Sequence, residues 1–213
     1  MSVPHRDGGP REPIFNALPP AVLILALAII GAELARYLFP SLGQWIFEAS
    51  VLVIVPTGET QPVQPLGSYA PYLLHVLVHF GWLHIIMNSV VLVSAGRAVG
   101  NVMGYRTRGT LSFLLFFAVC SVLGAVAQAV AAGGELMTLG GASTGVSGLI
   151  AASGWAMGGQ AGMLRLTLPW IGINLLIGLL ELAMPIPIGW AAHIGGAVAG
   201  AALFPIFASF ARR

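Results

Sequence analysis

Three polar clusters stand in apolar surroundings, and their side chains are of the types that break bonds. The segment TLGGASTGVSGLIAASGWAMGG carries Ser143 and, one helical turn later, Ser147. A helix opening at Gly-Gly-Ala-Ser leaves backbone N–H groups without intrahelical partners, and its dipole favours negative charge there. The segment WAAHIGGAVAG carries His193, with Gly196 and Gly200 following at the spacing of one helix face. The segment HVLVHFGWLHIIMN carries His75, His79, His84 and Asn88. A serine beside a histidine base is the minimal activated nucleophile. An imidazole and a carboxamide four residues apart, here His84 and Asn88, can both donate to a developing oxyanion.

Each cluster also has a plainer reading. Ser143 can be an N-cap, and His84 with Asn88 can be polar glue between helices. His193 alone can be structural. Its place directly above a glycine stripe, which lets a second helix approach closely, favours the catalytic reading. His75 and His79 have the spacing of a metal pair, but no Cys, Asp or Glu lies in that window to complete the usual ligand set. A metal is not expected there.

The elements that must position these groups are membrane spans. The chain has 213 residues, 57% hydrophobic and only 8% charged, with a mean hydropathy of +0.91. Soluble domains carry about a quarter charged residues, so lipid is the solvent implied. Apolar runs predict six transmembrane helices, at about 18–39, 80–100, 110–132, 143–159, 165–184 and 188–210. Residues 1–17, polar and rich in Pro and Gly, are expected to be a disordered cytoplasmic tail, and 18–210 a single six-span domain. The long connection from Pro40 to Tyr72, with an apolar cluster at Trp45, Ile46 and Phe47, is expected as an outer loop partly embedded in the membrane.

Orientation follows from the arginines, since the sequence has no lysine. With the N-terminus inside, Arg6, Arg11, Arg97, Arg106, Arg108, Arg165, Arg212 and Arg213 all fall on cytoplasmic ends or loops, and only Arg36 falls outside. Both termini are therefore expected in the cytoplasm. The formal charge of +2 gives no reason to expect a nucleic-acid partner. Cys120, the single cysteine, lies in an apolar run and has no internal disulfide partner.

Depth links the clusters. A helix from Ser143 to Gly158 is ~24 Å long against a ~30 Å core, so one that reaches the cytoplasmic edge starts ~6 Å below the outer one. His193, about five residues into its span, sits ~8 Å deep. Serine and histidine share a level, and His84 with Asn88 start the second span near the same edge. Non-helical backbone before Ser143 is tolerable only where it is buried or lines water, and hydrolysis needs that water. A third acidic member is not expected: Asp7 is the only aspartate, and Glu181 marks the outer end of the fifth span.

From about residue 70 to 207 the chain resembles the bacterial-type rhomboid family of intramembrane serine proteases. HFGWLHIIMN is similar to that family's H-x-x-x-N motif, GGASTGVSGLIAA to its G-x-S-G segment, and AAHIGGAVAG to its A-H-x-x-G-x-x-x-G. The resemblance implies a six-helix, all-α membrane bundle and a dyad of Ser143 as nucleophile and His193 as general base. It implies His84 and Asn88 at the oxyanion, Gly196 and Gly200 as packing positions, and no metal or cofactor. Its substrates would be transmembrane protein segments entering laterally from the bilayer of the inner (plasma) membrane. One residue departs from the pattern: Thr144 stands where the family has glycine. A literal G-x-S-G occurs at Gly145–Gly148, so Ser147 is the alternative nucleophile. The rival functions are an inactive relative that binds membrane segments and a small transporter. The polar cluster lies near one surface, where a transporter would place it near the midplane.

Overall fold

A computed structural model describes residues 18–56, 58–181, 183 and 188–212, so the expected tail at 1–17 lies outside the described residues. Seven helices occur among them: α1 (Pro20–Leu38), α2 (Pro40–Ser50), α3 (Pro71–Leu74), α4 (Trp82–Met103), α5 (Thr107–Ala131), α6 (Ser143–Glu181) and α7 (Trp190–Arg212). Five of these, α1 and α4 to α7, are long and apolar enough to cross a membrane.

α6 is not one rod. Gly158 and Gly159 are non-helical, and Gly159 takes φ +59°, a conformation that a side chain would resist. The chain doubles back there, so that Trp170 Nε1 donates to Ser147 Oγ at 3.1 Å. A straight helix would hold those residues ~34 Å apart. The two arms, 143–157 and 160–181, cross tightly near the turn, where a Cβ on Gly162 would strike the Gly154 carbonyl.

The expected boundaries need small corrections. The run expected at 80–100 is helical from Trp82 to Met103, and that expected at 165–184 is helical from 160 to Glu181. Hydropathy marks where lipid contact ends, whereas helical hydrogen bonding continues into the interface past Arg165 and Asn101. The connection after α1 is also more ordered than a loop. It contains α2 and a strand, β1 (Leu52–Ile54), which pairs antiparallel with β2 (Met137–Leu139) in the register Leu52–Leu139, Val53–Thr138, Ile54–Met137. The bundle is thus helical but for one short ribbon. That ribbon anchors the segment just ahead of Ser143.

Apolar side chains fill the core and cover much of the outside as well. Phe113, Phe116, Phe117, Leu92, Val99 and Leu149 are buried, while Leu27, Ile30 and Leu34 of α1 and Leu168, Leu176 and Leu179 of α6 point outward. Such apolar belts in water would be aggregation patches, but in lipid they are the normal exterior. At one end of the bundle, Arg108 stacks over the Phe210 ring at 5.8 Å, joining the start of α5 to the close of α7. At the other end, Arg36 pairs with Glu33 at 2.7 Å and lies over the Phe47 ring of α2.

The first arm of α6 and α7 run side by side with no room between their backbones. A Cβ on Gly196 would run into the Thr144 carbonyl, and one on Gly200 into the Gly148 carbonyl. Gly31 of α1, by contrast, has open space around it. Gly200→Val is therefore expected to cost about 3 kcal/mol through overpacking, and Gly31→Ala to stay within about 0.5 kcal/mol of wild type. Thermal unfolding in detergent reads both, and equal shifts would refute the close approach.

Candidate active site

Ser143 is the first residue of α6, and Gly140–Gly141 deliver the chain to it from β2. Gly141 has φ +120°, and a Cβ there would collide with the His84 ring. Glycine is needed for both reasons. The turn is held from the segment before α4: Gly141 N–H donates to His75 O at 2.9 Å, and Ala142 N–H to His79 Nε2 at 3.3 Å. The first helical bond runs from Val146 N–H to Ala142 O. The N–H groups of Ser143, Thr144 and Gly145 consequently have no partner one turn back.

His193 lies in the first turn of α7. The start of that helix is fixed by Gln128 of α5, whose Oε1 accepts from Ala192 N–H at 3.0 Å. His193 Nε2 stands 2.8 Å from Ser143 Oγ. Its other ring nitrogen, Nδ1, stands 2.7 Å from Asn174 Oδ1. Sequence reasoning passed over Asn174, and the available signal was a carboxamide within an apolar run, INLL, where a polar group is costly.

Ser147 is placed differently. It is fully buried, its hydroxyl donates to Ser143 O at 2.7 Å, and it accepts from Trp170 Nε1. Both of its hydrogen-bonding directions are taken by packing contacts, and its partner is not His193.

His84 and Asn88 occupy one face at the start of α4. Phe80 N–H points at His84 Nδ1 at 3.4 Å, which makes Nδ1 the acceptor and Nε2 the protonated nitrogen. That Nε2 and Ser143 Oγ both lie within 4 Å of the point above Gly141 where a Cβ would sit. A ring N–H and the serine hydroxyl thus flank Gly141. Asn88 is buried, and its Nδ2 donates to His84 O at 2.9 Å.

His75 and His79 do not converge. His75 is fully buried, with Nδ1 donating to Pro71 O at 3.1 Å and Nε2 accepting from Thr144 Oγ1 at 2.9 Å. Burial lowers its pKa to about 4, which keeps it neutral and suits that pattern. His79 is lowered to about 3, by burial first and then by the neighbouring charges of His84, Arg36 and His75. Among the described residues no three of His, Cys, Asp and Glu are grouped to hold a metal ion. Thr144 itself is helical, and no non-glycine residue among those described has positive φ. The position thus makes no demand for glycine, and its hydroxyl ties the helix start to His75.

A bundle of membrane-capable helices with a serine and a histidine joined across two of them defines the class: a multi-pass membrane protein. Residues 67–210 match the family profile described as Rhomboid domain. The chain belongs to the rhomboid family, whose members are intramembrane serine proteases. Among curated proteins, none matches the chain.

The two serines can be told apart chemically. A fluorophosphonate probe is expected to label the wild-type protein and Ser147→Ala, and to leave Ser143→Ala unlabelled, because only Ser143 faces a base. Mass spectrometry of the labelled peptide reads the site, and adduct on Ser147 in the Ser143→Ala protein would reverse the assignment.

Proposed function

We propose that this chain is an intramembrane serine endopeptidase that hydrolyses peptide bonds in or near transmembrane segments of membrane-protein substrates. The observation that carries this reading is the 2.8 Å contact between Ser143 Oγ and His193 Nε2, residues 50 apart in sequence. His193 takes the Ser143 proton as Oγ attacks the scissile carbonyl. The carbonyl oxygen becomes negative beside Ser143, facing His84 Nε2–H and the free N–H groups of the α6 start. His193 then gives its proton to the leaving amine, and an acyl group remains on Ser143. A water activated by the same histidine releases it. No metal or cofactor takes part in these steps.

Asn88 supports the oxyanion side. Its amide holds the His84 carbonyl, leaving one further N–H for the forming charge or for setting the His84 helix turn. Thr144 is compatible with activity, because its hydroxyl is satisfied by His75 and its backbone is helical.

Counting the arms of α6 separately gives six crossings, so both ends of residues 18–210 fall on one side. The arginines around the α4–α5 turn (Arg97, Arg106, Arg108), after the turn between the arms of α6 (Arg165) and at the close of α7 (Arg212) favour the cytoplasm for that side, in a cell whose inner (plasma) membrane holds the protein. Residues 1–17 read as a cytoplasmic tail. The serine side then opens outward, and substrates arrive laterally from the bilayer.

Cleavage of a purified transmembrane substrate in liposomes tests the activity. His193→Ala is expected to lower kcat by several orders of magnitude, about 10⁶ in a comparable soluble serine protease. Asn88→Ala is expected to lower kcat by ~10²–10³ with little change in apparent KM. Full turnover by an Asn88→Ala protein that is merely less stable would move Asn88 to the scaffold. Topology is checked by reporter fusions: one after Arg213 should report the cytoplasm and one near Glu135 the opposite side. A periplasmic-type signal after Arg213 would rule out six crossings.

A further inference from the structure

We propose that Asn174 is the positioning residue for His193, so that the site works as a Ser143–His193–Asn174 line and not as an isolated pair. The proposal deepens the proteolytic reading above and rests on it.

The second arm of α6 carries Asn174 to the side of His193 facing away from the serine. Asn174 is 1% exposed, so its carboxamide has no water to fall back on. Its two ends are distinguishable by their partners. Nδ2 donates to Trp170 O at 2.8 Å, one turn back on the same arm. A flipped amide would set its oxygen against that carbonyl oxygen. Oδ1 is therefore the atom 2.7 Å from His193 Nδ1, and the proton between them must come from the imidazole.

That one direction propagates through the ring. With Nδ1 protonated, Nε2 of the neutral imidazole keeps its lone pair, and Nε2 is the atom facing Ser143 Oγ at 2.8 Å. The serine hydroxyl must then donate to it. The other tautomer would bring two lone pairs together at Asn174 and would turn His193 into a donor toward the serine, unable to take its proton. Asn174 thus selects the base-competent form. After proton transfer, Oδ1 still accepts from Nδ1–H, and does so more strongly from an imidazolium.

The choice of carboxamide follows from the solvent. A carboxylate in this place would be a charge within a membrane span, at a cost of about 2.5–3.5 kcal/mol or more. An amide oxygen gives the same directional acceptor without it, the arrangement that also serves Cys-His-Asn proteases. Trp170 braces the geometry: its ring lies 5.9 Å from that of His193, and its Nε1 is fastened to Ser147 on the other arm. Ser147, the rival nucleophile, becomes the anchor of the arm that carries Asn174.

Two measurements on the full-length protein in detergent test the proposal. The first is ¹⁵N NMR of histidine-labelled wild type, with His193 assigned by its loss in His193→Ala. The expected result is His193 protonated at Nδ1, and protonation at Nε2 overturns the proposal. The second is turnover of a transmembrane substrate by Asn174→Leu and Asn174→Asp. The leucine variant keeps the shape without the acceptor and should lose at least ~10–100-fold in kcat, the scale seen when the outer partner of a metal-ligating imidazole is removed. Its KM should be nearly unchanged, and Asn174→Asp, as the neutral acid that burial favours, with its O–H toward Trp170 O, should recover part of the loss. A leucine variant with wild-type kcat per folded molecule overturns the proposal, as does loss that only tracks thermal stability. A wild type that shows the Nδ1–H form but cuts no substrate would refute the protease reading and leave the pairing standing.

Discussion

The contact on which everything else depends is backbone against backbone, between the first arm of α6 and α7. Thr144 meets Gly196 and Gly148 meets Gly200, so the two helices advance together by one turn, in parallel and in register. In lipid there is no hydrophobic force to press helices together, and close packing of small residues takes its place. A slip of one residue would move His193 by ~1.5 Å along the axis and ~100° around it. The 2.8 Å bond to Ser143 could not survive that. The glycines therefore set the Ser143–His193 contact from one and two turns away.

A second constraint acts from above. Irregular backbone within a membrane must be buried or line a cavity, and the turn before Ser143 meets this demand with borrowed partners. His75 O takes the Gly141 N–H, His79 Nε2 takes the Ala142 N–H, and His75 Nε2 takes the Thr144 hydroxyl. The ribbon β1–β2 holds the incoming strand. The histidines whose spacing suggested a metal instead hold the turn before Ser143. Once those groups are satisfied, the N–H groups next in line, of Ser143, Thr144 and Gly145, still have no partner one turn back.

The sequence made legible whatever depends on composition and short-range spacing. Apolar runs revealed five helices long and apolar enough to cross a membrane, and the four-residue steps His84–Asn88 and Gly196–Gly200 revealed faces. The depth argument put Ser143 and His193 at one level, and they lie in contact. Other features stayed hidden for physical reasons. The ribbon joins residues about 85 apart through three-residue strands, too short for any alternation to show. α2 was legible in principle, since Leu42, Trp45, Ile46 and Ala49 fall at the i, i+3, i+4, i+7 spacing of one helix face. Asn174 was invisible as a partner of His193, because no local rule connects residue 174 with residue 193 across a turn.

Thr144 shows how a departure from a family pattern can be absorbed. Glycine at such a site is required only where φ is positive or a neighbour is too close, and neither holds for Thr144. Its hydroxyl instead finds His75, a ring kept neutral by burial and already committed at its other nitrogen to Pro71 O. A second polar substituent on the first turn of α6 would ordinarily be a liability in an apolar bundle. Here it is compensated by a residue that the bundle must bury in any case, since His75 O is already needed for Gly141. The threonine and the histidine are best regarded as one unit, and the value of either at this site depends on the presence of the other.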